Sequence, residues 1–144
     1  MAIRAILAHR TAGAAATSIL ALAVAACVKH LPDQDMRILT APESARTTAE
    51  DLWKDYAADA GAASRRYFGK AIVVTGVVTT VGSDAPGDRF LLYGQPKEFG
   101  VRANLLDEQA AAILERAGKQ QRISLKCFVE GLDDNLVLKS CVTP

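Results

Sequence analysis

The chain has 144 residues, with 17 Lys and Arg against 16 Asp and Glu; half of its residues are hydrophobic and 23% are charged. This is the composition of a single globular domain, not of a disordered chain, and it lacks the basic excess of a dedicated nucleic-acid binder. Three cysteines are too few for a disulfide scaffold and lack the paired spacing of a zinc site.

Residues 1–26 read as a secretory signal. Arg4 and Arg10 supply a positive start, no acidic residue precedes Asp33, and Thr11 to Ala26 is apolar or small. A short apolar stretch ending in small residues is a cleaved export signal rather than a membrane span, and this alanine-rich run falls short of the roughly 20 apolar residues a span needs. Its end, Val24-Ala25-Ala26-Cys27, resembles a bacterial lipobox, which implies a diacylglycerol on the Cys27 thiol and Cys27 as the new N-terminus. Val28, in place of Asp, fits outer-membrane over inner-membrane sorting by resemblance to the enterobacterial rule. Ordinary cleavage after Ala25, giving a soluble periplasmic protein, also fits Ala23-x-Ala25. Removing 26 of the 144 residues leaves 118, with 15 basic and 16 acidic side chains and His30 as the one histidine. That length suffices for one modest core, and the single His removes most His-based catalysis and metal chemistry.

Residues 27–46 carry Pro32 and Pro42 and no sustained period, and read as a flexible tether. A domain of residues 47–142 follows. Thr47 and Glu50 have capping-box spacing, and Leu52, Trp53, Tyr56, Ala60, Ala63 and Tyr67 recur as one face of a helix that ends at Gly69. Residues 70–81 are β-branched, with Gly76 marking a bend or bulge. After the turn-rich segment 82–88, strands are expected at 89–93 and 99–105. Asp107 is the expected cap of a helix to Ala117 with Ala110, Ile113 and Leu114 inward, and Gly118 its stop. Strands 122–130 and 135–142 close the chain around a turn at 131–135. Strand, strand, strand, helix, strand, strand is the order of the OB-fold, a mainly β, five-stranded Greek-key barrel. The long first strand suits it, since that strand serves both sides of the barrel.

Tyr67-x-Gly69-Lys70 leading into Val74-Thr75-Gly76-Val77-Val78, with Cys127, Val137 and Cys141 beyond, resembles the tRNA_anti-like group of small OB-fold domains. The likeness covers about residues 47–142. It implies an upstream helix and frequent export or lipid anchoring; it brings no catalytic residues, and the family name carries no evidence of tRNA binding.

Cys127 and Cys141 are the most informative pair. In a hairpin centred on Asp134, opposing positions sum to 268, which places the two cysteines face to face. An oxidising compartment favours the bond, which would contribute roughly 3 kcal/mol in the chain-entropy model. The same register pairs Val129 with Lys139 and sets Leu136 and Leu138 against the wrong face; a β-bulge before Cys141 would resolve the conflict.

OB-fold ligands lie across strands two and three of the barrel, between two loops. That region offers Arg89, Phe90, Tyr93, Lys97, Phe99, Arg102 and Asn104, of which Arg89, Tyr93, Phe99, Arg102 and Asn104 form the candidate ligand face, flanked by Ser83, Asp84, Asp133 and Asp134. Aromatics among bases can stack nucleobases or sugars, but alternate members must fill the barrel, and acidic loops repel phosphate. Asp133-Asp134 reads as a solvated turn, not a cation site. Ser64, Ser83, Ser124 and Ser140 have no His partner. The expectation is therefore a non-enzymatic exported lipoprotein without metal or cofactor. Its expected partners are the membrane, through the lipid, and an envelope protein, glycan or small ligand, with nucleic acid not among them. An oligonucleotide-binding module and a purely structural envelope scaffold are the alternatives.

Overall fold

The β-branched run forms the strand that organises the molecule. In the computed structural model, which describes residues 31–85, 88–94, 99–118 and 120–144, the strands are β1 (Ala45–Thr48), β2 (Ala71–Ser83), β3 (Arg89–Tyr93), β4 (Val101–Leu105), β5 (Arg122–Leu132) and β6 (Leu136–Val142). The helices are α1 (Ala49–Ala58), α2 (Ala60–Tyr67) and α3 (Asp107–Arg116), with a 3-10 helix at Met36–Leu39. The expected signal, residues 1–26, and Cys27 lie outside the described residues.

β2 pairs antiparallel with β5 over Ala71–Val77 and with β3 from Val78 onward. β3 pairs with β4, β4 runs parallel to β6, and β6 returns antiparallel to β5. The five strands close in the order β2-β3-β4-β6-β5-β2, with α3 between β4 and β5, which is an OB-fold barrel. β1 is a sixth strand, parallel to β2 along the edge that β3 leaves free.

Gly76 is not the bulge. The β2–β5 register is unbroken through it, and the register shift falls at Thr79. Gly76 serves close approach instead: a Cβ there would lie 2.7 Å from the Tyr93 ring, which fills the barrel over the bare backbone.

Cys127 and Cys141 are bonded, with Cα atoms 4.3 Å apart and both side chains wholly buried. The expected bulge is present. Phe128 pairs with Lys139 but Lys126 with Val142, so β6 carries one extra residue at Ser140 and Cys141. Ser140 takes a φ of 53°, a conformation rare for a residue with a side chain. A second shift between Val129 and Gly131 sets Val129 opposite Leu138, so both leucines of β6 reach the core.

The segment expected as a flexible tether packs on the barrel from Leu31 onward. Phe128, Ala71 and Val142 point out of the barrel, and Ile38 and Leu106 join them in a second buried cluster. Polar bonds hold the strap. Asp35 N–H donates to Ser140 Oγ at 2.8 Å, and that hydroxyl donates to the Asp33 carbonyl at 2.8 Å, so the strained bulge residue is fully partnered. Gln34 Oε1 accepts the Asp107 N–H at 2.9 Å, and its amide donates to the Leu105 carbonyl. Gln34 therefore caps α3, the role expected of Asp107. Asp35 also pairs with Arg37, which holds its carboxyl below the usual range.

The single helix expected over 47–67 is two. Asp59 lies outside helical φ and ψ, ends α1, and caps α2 by accepting the Ala62 N–H at 2.8 Å. The α1 cap is Thr48, whose Oγ1 accepts the Asp51 N–H at 3.1 Å, one residue later than the Thr47–Glu50 pair. Leu52, Tyr56, Ala63 and Tyr67 enter the core as expected, Trp53 is half-buried and Ala60 is exposed.

Candidate functional site

Alternation along β4 sends Val101, Ala103 and Leu105 inward and Arg102 and Asn104 outward. On β3, Leu91 and Tyr93 are inward, so Phe90 and Leu92 share the outer face with Asn104 and Arg102 as cross-strand partners. This outer face opens into a cleft of about 720 Å³. Its other walls are the β5–β6 hairpin (Gly131–Asn135), the end of α2 at Ser64 and Phe68, and Asp33 of the strap. The place matches the ligand position of OB-folds, between strand face and hairpin loop.

Arg102 is the organising side chain. Its guanidinium lies 3.9 Å from the centroid of the Phe90 ring, pairs with Asp84 at 2.5 Å and donates to Asn104 Oδ1 at 2.8 Å. The Phe90 ring in turn covers Gly82 on β2, where a Cβ would come within 2.5 Å of it. Cation–π attraction and the ion pair together fix a flat guanidinium–aromatic stack on the strand face.

Lys139 forms part of the cleft wall and is only 4% exposed. Its ammonium meets Asp33 Oδ1 at 2.8 Å, the Leu31 carbonyl at 2.7 Å and Glu130 Oε1 at 3.7 Å. Burial of a cation is tolerable only with such partners. With Asp133 and Asp134 on the hairpin, the lining holds four carboxylates against two cations, a field that opposes a polyanionic ligand.

The five candidate face residues do not stay together. Arg102 and Asn104 meet in the cleft. Tyr93 is wholly buried, its hydroxyl 3.5 Å from the Ile123 carbonyl, and burial pushes its pKa up, so it belongs to the core and not to the ligand face. Phe99 is half-buried against Gly94 and lines a separate cavity of about 360 Å³ with Thr79 and Arg122. Arg89 is half-buried at the start of β3, opposite Ser83, and lines neither cavity. Asp84, Asp133 and Asp134 reach the site as the loop reading placed them. Phe90 is the aromatic of this face, and the unbroken apolar run over 90–93 carries no alternation that could have told it from Tyr93. Lys139, Glu130 and Asp33 carried no local signal, since their meeting depends on the strap. Among the described residues, no group of three or more His, Cys, Asp or Glu side chains is placed to hold a metal ion.

The model of the tRNA_anti-like family matches residues 3–142, nearly the whole chain. The chain is similar in fold to the crystal structure of a lipoprotein from Klebsiella pneumoniae subsp. pneumoniae that is proposed to bind nucleic acid, at 14% identity and a TM-score of 0.51, over 76% of this chain and 98% of that one. A proposed aspartyl-tRNA synthetase from Leishmania major Friedlin aligns at 12% identity and a TM-score of 0.43, over 79% of this chain and 23% of that one, a likeness too distant to carry weight. No curated protein matches.

Proposed function

The chain belongs to the tRNA_anti-like family of small OB-fold domains, and from that membership we propose a non-enzymatic binding module, exported and held at the cell envelope by a lipid on Cys27. The buried Cys127–Cys141 bond is the observation that carries the address, because disulfides persist in oxidising compartments. The lipobox-like Val24-Ala25-Ala26-Cys27 agrees with it. So does the fold neighbour, itself a lipoprotein. Among the described residues no helix is long and apolar enough to cross a membrane.

The cleft between Arg102, Asn104 and the 131–135 hairpin is the binding site of this reading. Its excess of carboxylates favours a neutral or cationic ligand: a glycan, a peptide segment of an envelope protein, or a small molecule. Asn104 supplies both donor and acceptor for hydroxyl-rich ligands. A second reading, oligonucleotide binding, draws on the Arg102–Phe90 stack, which resembles a base-stacking platform. The test is a titration of the purified full chain with neutral oligosaccharides and with a fluorescent single-stranded oligonucleotide, at low and at physiological salt. The proposal expects saccharide or peptide binding that Asn104→Ala weakens. It expects oligonucleotide affinity no tighter than the roughly 10⁻⁴–10⁻⁶ M of non-specific contact at physiological salt. Oligonucleotide binding well below micromolar at physiological salt, weakened by Phe90→Ala, would reverse the order of the two readings.

A further inference from the structure

The strap leaves very little chain between the barrel and Cys27. Leu31 donates its N–H to Glu130 Oε2 at 2.9 Å and its carbonyl accepts from Lys139 at 2.7 Å, so the chain is fixed to the barrel wall at residue 31. Four Cα steps separate Leu31 from Cys27, which span at most about 14 Å. A globular domain of this size has a radius of gyration of about 13 Å. A leash about as long as the domain's own radius of gyration holds the barrel against whatever surface carries the lipid.

The surface that surrounds the anchored residue is apolar at its tips. Glu130, which holds Leu31, lies between Val129 and Gly131. Phe68 bridges to Val129, and Gly69 N–H donates to the Val129 carbonyl at 2.9 Å. Leu132 follows two residues after Glu130. Phe68 is 37% exposed and Leu132 is 45% exposed, two of the five large apolar side chains in the open among the described residues, and both border the same cleft as Asp33. On the α2 side Arg65 and Lys70 are exposed; on the hairpin side Asp133 and Asp134 are. The mixed signs give no net selection for anionic headgroups, so the contact is driven by the apolar tips.

We infer that Phe68 and Leu132 form a membrane-seating edge: they rest in the interfacial zone of the bilayer that holds the Cys27 lipid and set the cleft mouth at the membrane surface. The inference rests on the lipid-anchor reading. It deepens that reading by naming the face that meets the bilayer and by placing the cleft's ligand at headgroup level. Aromatic and aliphatic tips buried about 5–10 Å into the headgroup boundary are the usual means of interfacial seating.

The test uses the lipidated full chain reconstituted in phosphatidylethanolamine and phosphatidylcholine vesicles. Trp53→Phe removes the one native tryptophan, and Phe68→Trp or Leu132→Trp then places a reporter on each tip. With brominated acyl chains, each reporter is expected to lose emission, as burial of the tips at the headgroup–acyl boundary requires. Flotation and intact mass are read on the same samples. A chain that carries no lipid and does not float overturns both this inference and the anchor reading. A lipidated, floating chain whose reporters are unquenched overturns the seating edge alone, and a blue shift without bromine quenching would assign the tips to a protein contact instead. Hydrogen exchange on the unsubstituted chain is the second measurement. Amides of 68–70 and 131–135 exchange more slowly on vesicles than in a Cys27→Ser chain with the same vesicles; equal rates would overturn the inference.

Discussion

Ile38→Ala tests whether residues 31–44 are part of the fold. Ile38 is wholly buried among Ala71, Leu106, Phe128 and Val142, on the outer face of the barrel. Full burial of a side chain of this kind is worth about 1.5–3 kcal/mol, and the cavity left by truncation brings Ile→Ala to about 2–5 kcal/mol. The site is a satellite cluster near the surface that can partly collapse, so a loss of about 3 kcal/mol is expected from the lower half of that range. At about 4 °C per kcal/mol for a domain of this size, Tm falls by about 12 °C. Met36, on the same turn, is 46% exposed, and Met36→Ala is expected to stay within about 0.5 kcal/mol. Urea unfolding followed by far-UV circular dichroism measures both. An Ile38→Ala chain within about 0.5 kcal/mol of the parent would refute the strap and restore a free tether.

The Cys127→Ala/Cys141→Ala double variant closes no loop of 14-residue separation; denaturant unfolding is expected to show a loss of about 3 kcal/mol, matched by the parent under reductant. Gly76→Ala drives a methyl into the Tyr93 ring and is expected to cost about 1–3 kcal/mol by thermal unfolding, the range for overpacking. Alkaline stability gives a pH test. Burial, then the bond to Asp55, raises the Tyr67 hydroxyl from 10.0 to about 12. The folded state therefore favours the protonated phenol, its stability is intact below pH 10, and it is lost as pH rises toward about 12. Tyr67→Phe should flatten part of that decline in unfolding free energy measured against pH. Tyr93 and Tyr56, both raised by burial, retain the remainder.

The elements that repeat locally were legible in the chain. β2 and β5 show their β-branched and alternating patterns directly, and the arithmetic of one hairpin was enough to pair Cys127 with Cys141 and to show that a bulge before Cys141 would settle the register, its place at Ser140 coming from the fold. The strap was not legible, because Ile38, Gln34 and Asp35 have no period of their own and act on residues about 30 to 105 positions away. Tyr93 was misplaced for a related reason. In Arg89-Phe-Leu-Leu-Tyr93 four successive side chains are apolar, so alternation sets no phase; the bare backbone of Gly76, distant in sequence, decides that Tyr93 points inward and Phe90 outward. The helix break escaped because Asp59 falls within a smooth 3.6-residue pattern, which masks the local alternative its side chain offers the backbone by capping Ala62. Of the cleft, the strand residues Arg102 and Asn104 and the acidic hairpin could be read from the chain. Its far wall, Lys139 with Asp33 and Glu130, exists only in the fold.

The proposal as a whole stands on the state of two cysteine sites, and one spectrum reads both. The intact mass of the native protein from membrane and soluble fractions is measured before and after reduction. The account predicts a membrane-bound chain that begins at Cys27, carries the mass of a lipid, and gains two hydrogens on reduction at Cys127 and Cys141. A full-length, lipid-free chain that is already reduced and partitions to the soluble fraction would contradict the envelope address, and with it the seating edge and the choice of envelope ligands for the cleft.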